Sequence, residues 1–208
     1  MRMKQATPLI KRSAGRPRAF DREQALEIAL DLFWRHGFDG TTIPQLTTAM
    51  GISTPSLYAA FGSKDSLYRE VVKLYLSRYT GFMSILFDEK VTVREAIEHA
   101  LLAAAKQFTQ AGHAPGCMIS CAELTASPDN MALTVEMAGL RLASQDIIFN
   151  RLETARKIGE LPNETDTASL AAFYAMVTQG MSVQARDGAN ATVLKRLAKM
   201  AMQAWPQT

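Results

Sequence analysis

Residues 37–67 read GFDGTTIPQLTTAMGISTPSLYAAFGSKDSL, and this stretch decides the fold. Thr42 is an N-cap by residue type, with Pro44 in the first turn and Gln45 at the capping-box position. The helix it starts runs to about Met50, where Gly51 breaks it. Ser53 caps a second short helix that tolerates Pro55 in its first turn and ends near Phe61-Gly62. Two short helices packed steeply across a tight turn make a helix-turn-helix, here over residues 42–60. Leu46, Met50, Ile52 and Leu57 supply its apolar interior, Phe61 joins them, and Thr47 and Ala60 are small enough for close packing. The outer face of the second helix carries Thr54, Pro55, Ser56 and Tyr58, polar or small and without charge. Such a face suits base edges in a major groove, where hydroxyls donate or accept and small apolar groups touch thymine methyls. Glycine turns between helices are common, so the apolar pattern alone also fits ordinary helix packing.

Towards the N-terminus, Asp21 is a good cap for a preceding helix, with Gln24 placed to complete a capping box. Ala25, Ala29, Leu32 and His36 fall on one face of it, flanked by Leu26, Leu30 and Phe33, and Gly37 ends it. Residues 1–19 lack apolar periodicity and read as a flexible basic arm. Arg2, Lys4, Lys11, Arg12, Arg16 and Arg18 stand there with no acid among them.

Towards the C-terminus the pattern stays helical. Ser63 caps a fourth helix carrying Leu67, Val71, Leu74 and Leu76 towards residue 87, and Thr92 caps a fifth to about Gln110. A loop over 111–116 precedes a short helix from Cys117 to about Ala126. A long helix spans Asp129 to about Lys157, another starts at Thr165 or Asp166 and reaches Arg186, and Thr192 to Trp205 forms the last. No strand pattern, internal repeat or low-complexity segment emerges. The expected class is all-α with about nine helices: an arm over 1–19, a three-helix head over 20–66 and a helical body over 67–208.

Composition sets the outer limits. Apolar residues make up 48% of the 208 and charged residues 21%, ordinary for a globular chain. The net charge of +3 is unevenly spread: residues 1–80 hold 12 Lys/Arg against 7 Asp/Glu, the remainder 11 against 13. A basic first part points to phosphate, because cations that displace condensed counterions gain free energy on nucleic acid. No apolar run approaches the roughly 18 residues of a membrane span, and the basic start has no apolar stretch behind it as a secretory signal would. Two cysteines four apart, Cys117 and Cys121, make a disulfide framework unexpected and fit a reducing cytoplasm. An enzyme is not expected: there is no nucleophile elbow, phosphate-binding glycine loop or paired carboxylate arrangement, and three histidines leave little acid–base chemistry. No cofactor or metal is called for.

Gly37-Phe38-Asp39-Gly40-Thr41-Thr42-Ile43, Leu46, Met50-Gly51-Ile52-Ser53, Ser56-Leu57-Tyr58, Phe61 and Ser63-Lys64-Asp65-Ser66-Leu67 resemble the N-terminal signature of TetR/AcrR-family transcriptional regulators. The resemblance covers about residues 20–70; Thr47 departs from the usual alanine but adds little bulk. Gly180 to Gly188 is similar to a segment of one branch of that family. The resemblance implies that Thr42 bonds a phosphate at the opening of its helix, that Thr54, Pro55, Ser56 and Tyr58 form the recognition surface, and that Lys64 clamps a second phosphate. Tyr58 is read either as a phosphate or base contact or as a partly buried aromatic, and Lys64 either as a clamp or as a solvated surface residue. Gly15-Arg16-Pro17-Arg18 resembles a minor-groove hook, the alternative being a tail with loose phosphate attraction.

The same resemblance implies a ligand-responsive regulator, most often a repressor released from a palindromic DNA operator by a small-molecule effector. It implies a homodimer through the last two helices, whose apolar faces carry Leu170, Phe173, Val177, Met181, Leu194, Leu197, Met200 and Met202. Candidates for the ligand pocket are Phe82, Phe108, Met118, Phe149, Phe173, Tyr174 and Met176, with Gln179 as polar handle. His113, Cys117 and Cys121 at four-residue spacing would share one helix face as a soft-metal or redox sensor, although Pro115-Gly116 interrupts that helix; the alternative is inert core thiols. The competing reading of the whole chain is an architectural DNA-binding dimer without ligand. An enclosed cavity favours the regulator and a filled core favours the architectural protein.

Overall fold

The computed structural model describes residues 20–122 and 130–206. Among them the elements are helical: α1 Arg22–His36, α2 Ile43–Met50, α3 Thr54–Phe61, α4 Lys64–Tyr79, α5 Val93–Phe108, α6 Met118–Cys121, α7 Met131–Lys157, α8 Thr167–Arg186 and α9 Ala191–Ala201. A 3-10 segment, Gly81–Phe87, follows α4, and a shorter one, Met202–Ala204, follows α9.

The head helices are too short to persist alone, since a short helix forms few bonds for the turn it must nucleate. Each is therefore fixed at its ends. Asp21 accepts the amides of Glu23 and Gln24, without a reciprocal bond from Gln24 among the described contacts. Thr42 and Gln45 form a full capping box, Ser53 accepts the Ser56 amide, and Ser63 accepts the Ser66 amide. Gly51 closes α2 at φ 67°, a left-handed conformation that a β-carbon disfavours. Leu46 and Leu57 are fully buried between α2 and α3, and Phe33 packs edge-on against Tyr68 at 5.1 Å to join α1 to α4. The buried face of α1 is Ala25, Ala29, Leu30, Phe33 and Trp34. It is rotated from the face expected around Leu32 and His36, because Trp34 turns inward and leaves His36 in solvent.

In the body, α5 packs against α8, α9 and the 3-10 segment, and α7 packs along α8. Several expected boundaries change. The fourth helix stops at Tyr79 rather than near 87, since Thr80 leaves helical geometry and its hydroxyl bonds back to the Leu76 carbonyl. The last helix is capped by Asn190, not Thr192, and ends at Ala201. The eighth starts from Asp166, whose carboxylate accepts the Ser169 amide. α6 is a single turn; the remainder of the helix expected to Ala126 lies outside the described residues. One hydrophobic core runs from Ala25 in the head to Trp205 in the last segment.

Head and body are joined where α1 meets α8. Trp34 is buried edge-on against Tyr75 and Tyr79, and the His113 ring stacks on it at 4.5 Å. Arg186, in the last turn of α8, donates to the carbonyls of Trp34 (3.2 Å) and Arg35 (3.0 Å) at the end of α1. A cation there meets the negative end of the α1 dipole and fills two of its orphan acceptors.

Candidate functional site

The first candidate surface lies on the head. Thr42, Thr54, Pro55 and Tyr58 are exposed, Tyr58 at 45%, and Ser56 is half-buried with its hydroxyl bonded to Ser53. Thr54, Pro55 and Tyr58 open outward because Leu57 and Phe61 take the inward positions of α3. Helical spacing adds Ala59, one turn beyond Pro55 and also exposed. A lone alanine carries no chemical signal in the sequence, and only the i,i+4 step from Pro55 points to it. Lys64 opens α4 beside its first amides, with Nζ 4.1 Å over the Phe38 ring. The exposed guanidinium of Arg22 pairs with Glu70 at 2.7 Å and lies 4.6 Å over Phe61. Arg16 and Arg18 lie outside the described residues.

The second candidate is a cavity of about 220 Å³ in the body. The end of α4, the 3-10 segment, α6, α7 and α8 contribute its wall. Of the eight expected pocket residues it includes Phe82 and Gln179. Phe108 stands behind Phe82, edge-on at 5.6 Å and fully buried, and Met118 is also packed into the core. Tyr174 adjoins a much smaller void behind Phe82. Phe173 faces a shallow depression near Asp166 and Pro206, Phe149 is half-buried away from the cavity, and Met176 points out of the protomer at 60% exposure. None of those six lines this cavity. The wall is mainly aliphatic (Leu76, Met83, Ile119, Leu140, Ile147, Ile148), and a search for aromatics passes over such residues.

Cys117 links this cavity to the head. Its side chain borders the cavity, its sulfur accepts from the Tyr75 hydroxyl at 3.2 Å, and its amide donates to the Ser182 hydroxyl at 2.7 Å. Tyr75 belongs to α4 and packs on Trp34 of α1. Burial pushes the Tyr75 hydroxyl up from its usual range, so it stays a donor. Cys121 lies 3.3 Å from the Ser182 hydroxyl, and burial raises its thiol, which opposes thiolate chemistry. Gly116 fits this joint because it lacks a side chain: at φ 78°, a β-carbon would stand 2.6 Å from the Ser182 carbonyl oxygen. His113 does not share a helix face with the cysteines. It sits in the preceding loop, with Nδ1 2.7 Å from the Ala114 carbonyl and Nε2 3.2 Å from the Gln107 amide. Among the described residues no three His, Cys, Asp or Glu side chains converge as a metal site.

The last helices expose part of their apolar surface: Met176 and Val183 on α8, Leu197 and Met200 on α9. Met181, Leu194 and Met202, expected on the dimer face, are buried within the protomer. No helix among the described residues is long and apolar enough to cross a membrane.

A capped helix-turn-helix packed against a helical body with a cavity defines a class of DNA-binding regulators rather than enzymes. The comparisons with known proteins agree. Residues 25–71 match the family described as bacterial regulatory proteins, tetR family. The chain is 34% identical to the HTH-type transcriptional repressor ComR of Escherichia coli K12 over 97% of each, and 31% identical to the HTH-type transcriptional repressor BdcR of the same strain over 93% of each. A solved structure of the TetR family regulator CifR, a cysteine mutant complexed with 26-bp operator DNA, superposes with TM-score 0.87 at 38% identity, covering 92% of this chain and all of that one. The chain belongs to the TetR family, and its function is transcriptional regulation.

Proposed function

We propose that the chain is a dimeric, ligand-responsive repressor, which holds a palindromic operator through its head and releases it when a small molecule fills the body cavity. The observation that carries the reading is the exposed, uncharged face of Thr54, Pro55 and Tyr58 on a head fixed by side-chain caps at each helix start. Thr42 and Lys64 flank that face at two helix N-termini and bind phosphate, and Ser56 steadies the recognition helix through Ser53. Residues 1–19 form an arm whose Arg16 and Arg18 enter the adjacent minor groove. Residues 20–66 are the DNA head and 67–208 the sensing and dimerising body. The exposed Met176, Val183, Leu197 and Met200 meet their copies across a two-fold axis, and the protein works in the cytoplasm with its thiols free.

Release follows from linkage: a ligand shifts the dimer towards a head spacing that misfits the operator by its differential affinity for the two arrangements. Phe82 and Gln179 touch that ligand, and Cys117, Tyr75 and the Arg186 contact to α1 carry the change to the head. The cavity weighs against a ligand-free architectural protein, whose body would be filled.

The test begins with chromatin precipitation and sequencing to recover an operator. In anisotropy titrations at fixed salt, Tyr58→Ala and Lys64→Ala are each expected to weaken operator binding roughly tenfold while the dimer persists. Unchanged affinity in both variants overturns the interface.

A further inference from the structure

The cavity wall carries one charge and no charge of opposite sign among the described residues. That charge is Arg141 of α7. Its Nη1 donates to the carbonyls of Ile119 (3.0 Å) and Ala122 (3.1 Å) at the end of α6. Among the described residues its Nε and Nη2 have no partner and it makes no ion pair.

Most other polar groups of the wall are already engaged. The hydroxyls of Ser144, Thr178 and Thr80 donate to the carbonyls four residues back, at 3.0, 2.9 and 2.6 Å. The Cys117 sulfur accepts from Tyr75 and from the Ser120 amide. Ser120, Gln179 and the guanidinium are left to meet a ligand against a hydrocarbon background.

This arrangement selects for charge. A guanidinium beside apolar wall, with no anion among the described lining residues, gains most from a carboxylate, through shorter and stronger hydrogen bonds than a neutral oxygen makes. An ammonium ligand is repelled, and an alcohol gains only an ordinary hydrogen bond. Size follows from volume: an apolar cavity of about 150 Å³ holds benzene, so by that ratio this one takes roughly nine non-hydrogen atoms.

We propose that the cavity binds a small monocarboxylate with an apolar tail, its carboxylate on Arg141 and its tail among Leu76, Met83, Leu140 and Ile147. This rests on the ligand-responsive reading above and names the class of its ligand.

Calorimetric titration of the full chain with hexanoate, octanoate, 1-hexanol, 1-octanol, hexylammonium and acetate tests it, with operator anisotropy as a parallel readout. Hexanoate or octanoate is expected to bind about tenfold or more tightly than the alcohol of equal length, with no binding of hexylammonium or acetate. Arg141→Gln should erase the preference for carboxylate while leaving the alcohol bound. Ser144→Phe, which fills the cavity and spares the arginine, should abolish both and keep operator binding. Equal affinity for carboxylate and alcohol in the unmodified chain overturns the proposal without recourse to any variant. So does failure of both carboxylates to bind, or undiminished octanoate binding by Arg141→Gln. If octanol binds and releases operator while octanoate does neither, the ligand class fails and the regulator reading stands. If octanoate binds through Arg141 and operator affinity does not move, the ligand class stands and the regulatory reading fails.

Discussion

The head of this protein and α7, the long helix of its body, are stabilised in opposite ways. In the head, Asp21, Thr42, Ser53 and Ser63 each close a helix start with a side chain within three residues in sequence, and Leu46 and Leu57 lock α2 to α3 without exposure. In the body, α7 runs for 27 residues from a start that no side chain caps, with its buried residues Leu133, Met137, Ile148, Leu152 and Ala155 widely spaced. α7 depends on its neighbours, and between it and them lies the cavity. A DNA-reading surface has to keep its geometry in both states of a switch, whereas a sensing domain has to have two. Locally determined structure belongs to the head and packing-determined structure to α7, which borders the cavity, while α5, α8 and α9 around it start from the side-chain caps of Thr92, Asp166 and Asn190.

Equal truncations in the two regions should break this comparison if it is wrong. Leu57→Ala is expected to cost about 2–5 kcal/mol and to abolish operator binding, because a fully buried side chain leaves a void the short helices have no slack to close. Ile147→Ala, on a wall that already borders empty space, is expected to cost about 1 kcal/mol from lost burial. Thermal and urea unfolding of both variants checks this, and equal losses would show that the body packs as tightly as the head.

The joint between the two regions comes next in size. Gly116→Ala would set a β-carbon 2.6 Å from the Ser182 carbonyl oxygen in a left-handed backbone conformation. Displacing α6 from α8 is expected to cost about 1–3 kcal/mol. It should also speed hydrogen exchange at the end of α1, where Arg186 of α8 caps the Trp34 and Arg35 carbonyls. Destabilisation without faster exchange there would mean that α6 and α1 are not coupled through α8.

The difference between the regions also explains what could be read from the sequence. Thr42, Gln45, Gly51, Ser53 and Ser63 announce themselves because caps and left-handed turns are local events with a residue-type signature. The same logic failed at Thr80, where a break in α4 without proline left the helix apparently continuing to 87. Cavity residues have no local signature. Ile147 and Leu140 look like any core residues, and Arg141 looks like a solvated face until α6 places two carbonyls against it. Aromatic residues were a poor guide for the opposite reason: Phe108 and Tyr174 are large enough to fill space, so they make the core rather than border the hole.

A cap substitution should have a smaller effect than Leu57→Ala or Gly116→Ala, and a sharper readout. Thr42→Ala removes one acceptor from the α2 amides and breaks the box with Gln45, at an expected cost of about 1 kcal/mol. Operator binding should fall by more than that loss of stability accounts for, since the same N-terminus is proposed to hold a phosphate. Equal fractional losses would reduce Thr42 to a cap alone.

The smallest expected effect lies at the far end of the body and depends on pH. Glu153, near the end of α7, accepts from Arg156 at 2.9 Å and from the Thr167 hydroxyl that opens α8. The hydrogen bond from Arg156, then that from Thr167, holds its carboxyl down to about 2, from an ordinary 4.5. A carboxylate depressed in the folded state stabilises it fully above the unfolded value and loses that contribution as pH falls towards the folded one. The α7–α8 joint should therefore weaken between about pH 4.5 and 2. Glu153→Gln should lower the melting temperature slightly at pH 7, with the gap to the unmodified chain closing as pH approaches 2. The pair lies near solvent, so added salt should shrink the gap at pH 7 as well. A gap that stayed constant with pH would mean that the Thr167 contact stabilises the joint through shape alone, and that the charge on Glu153 contributes nothing to it.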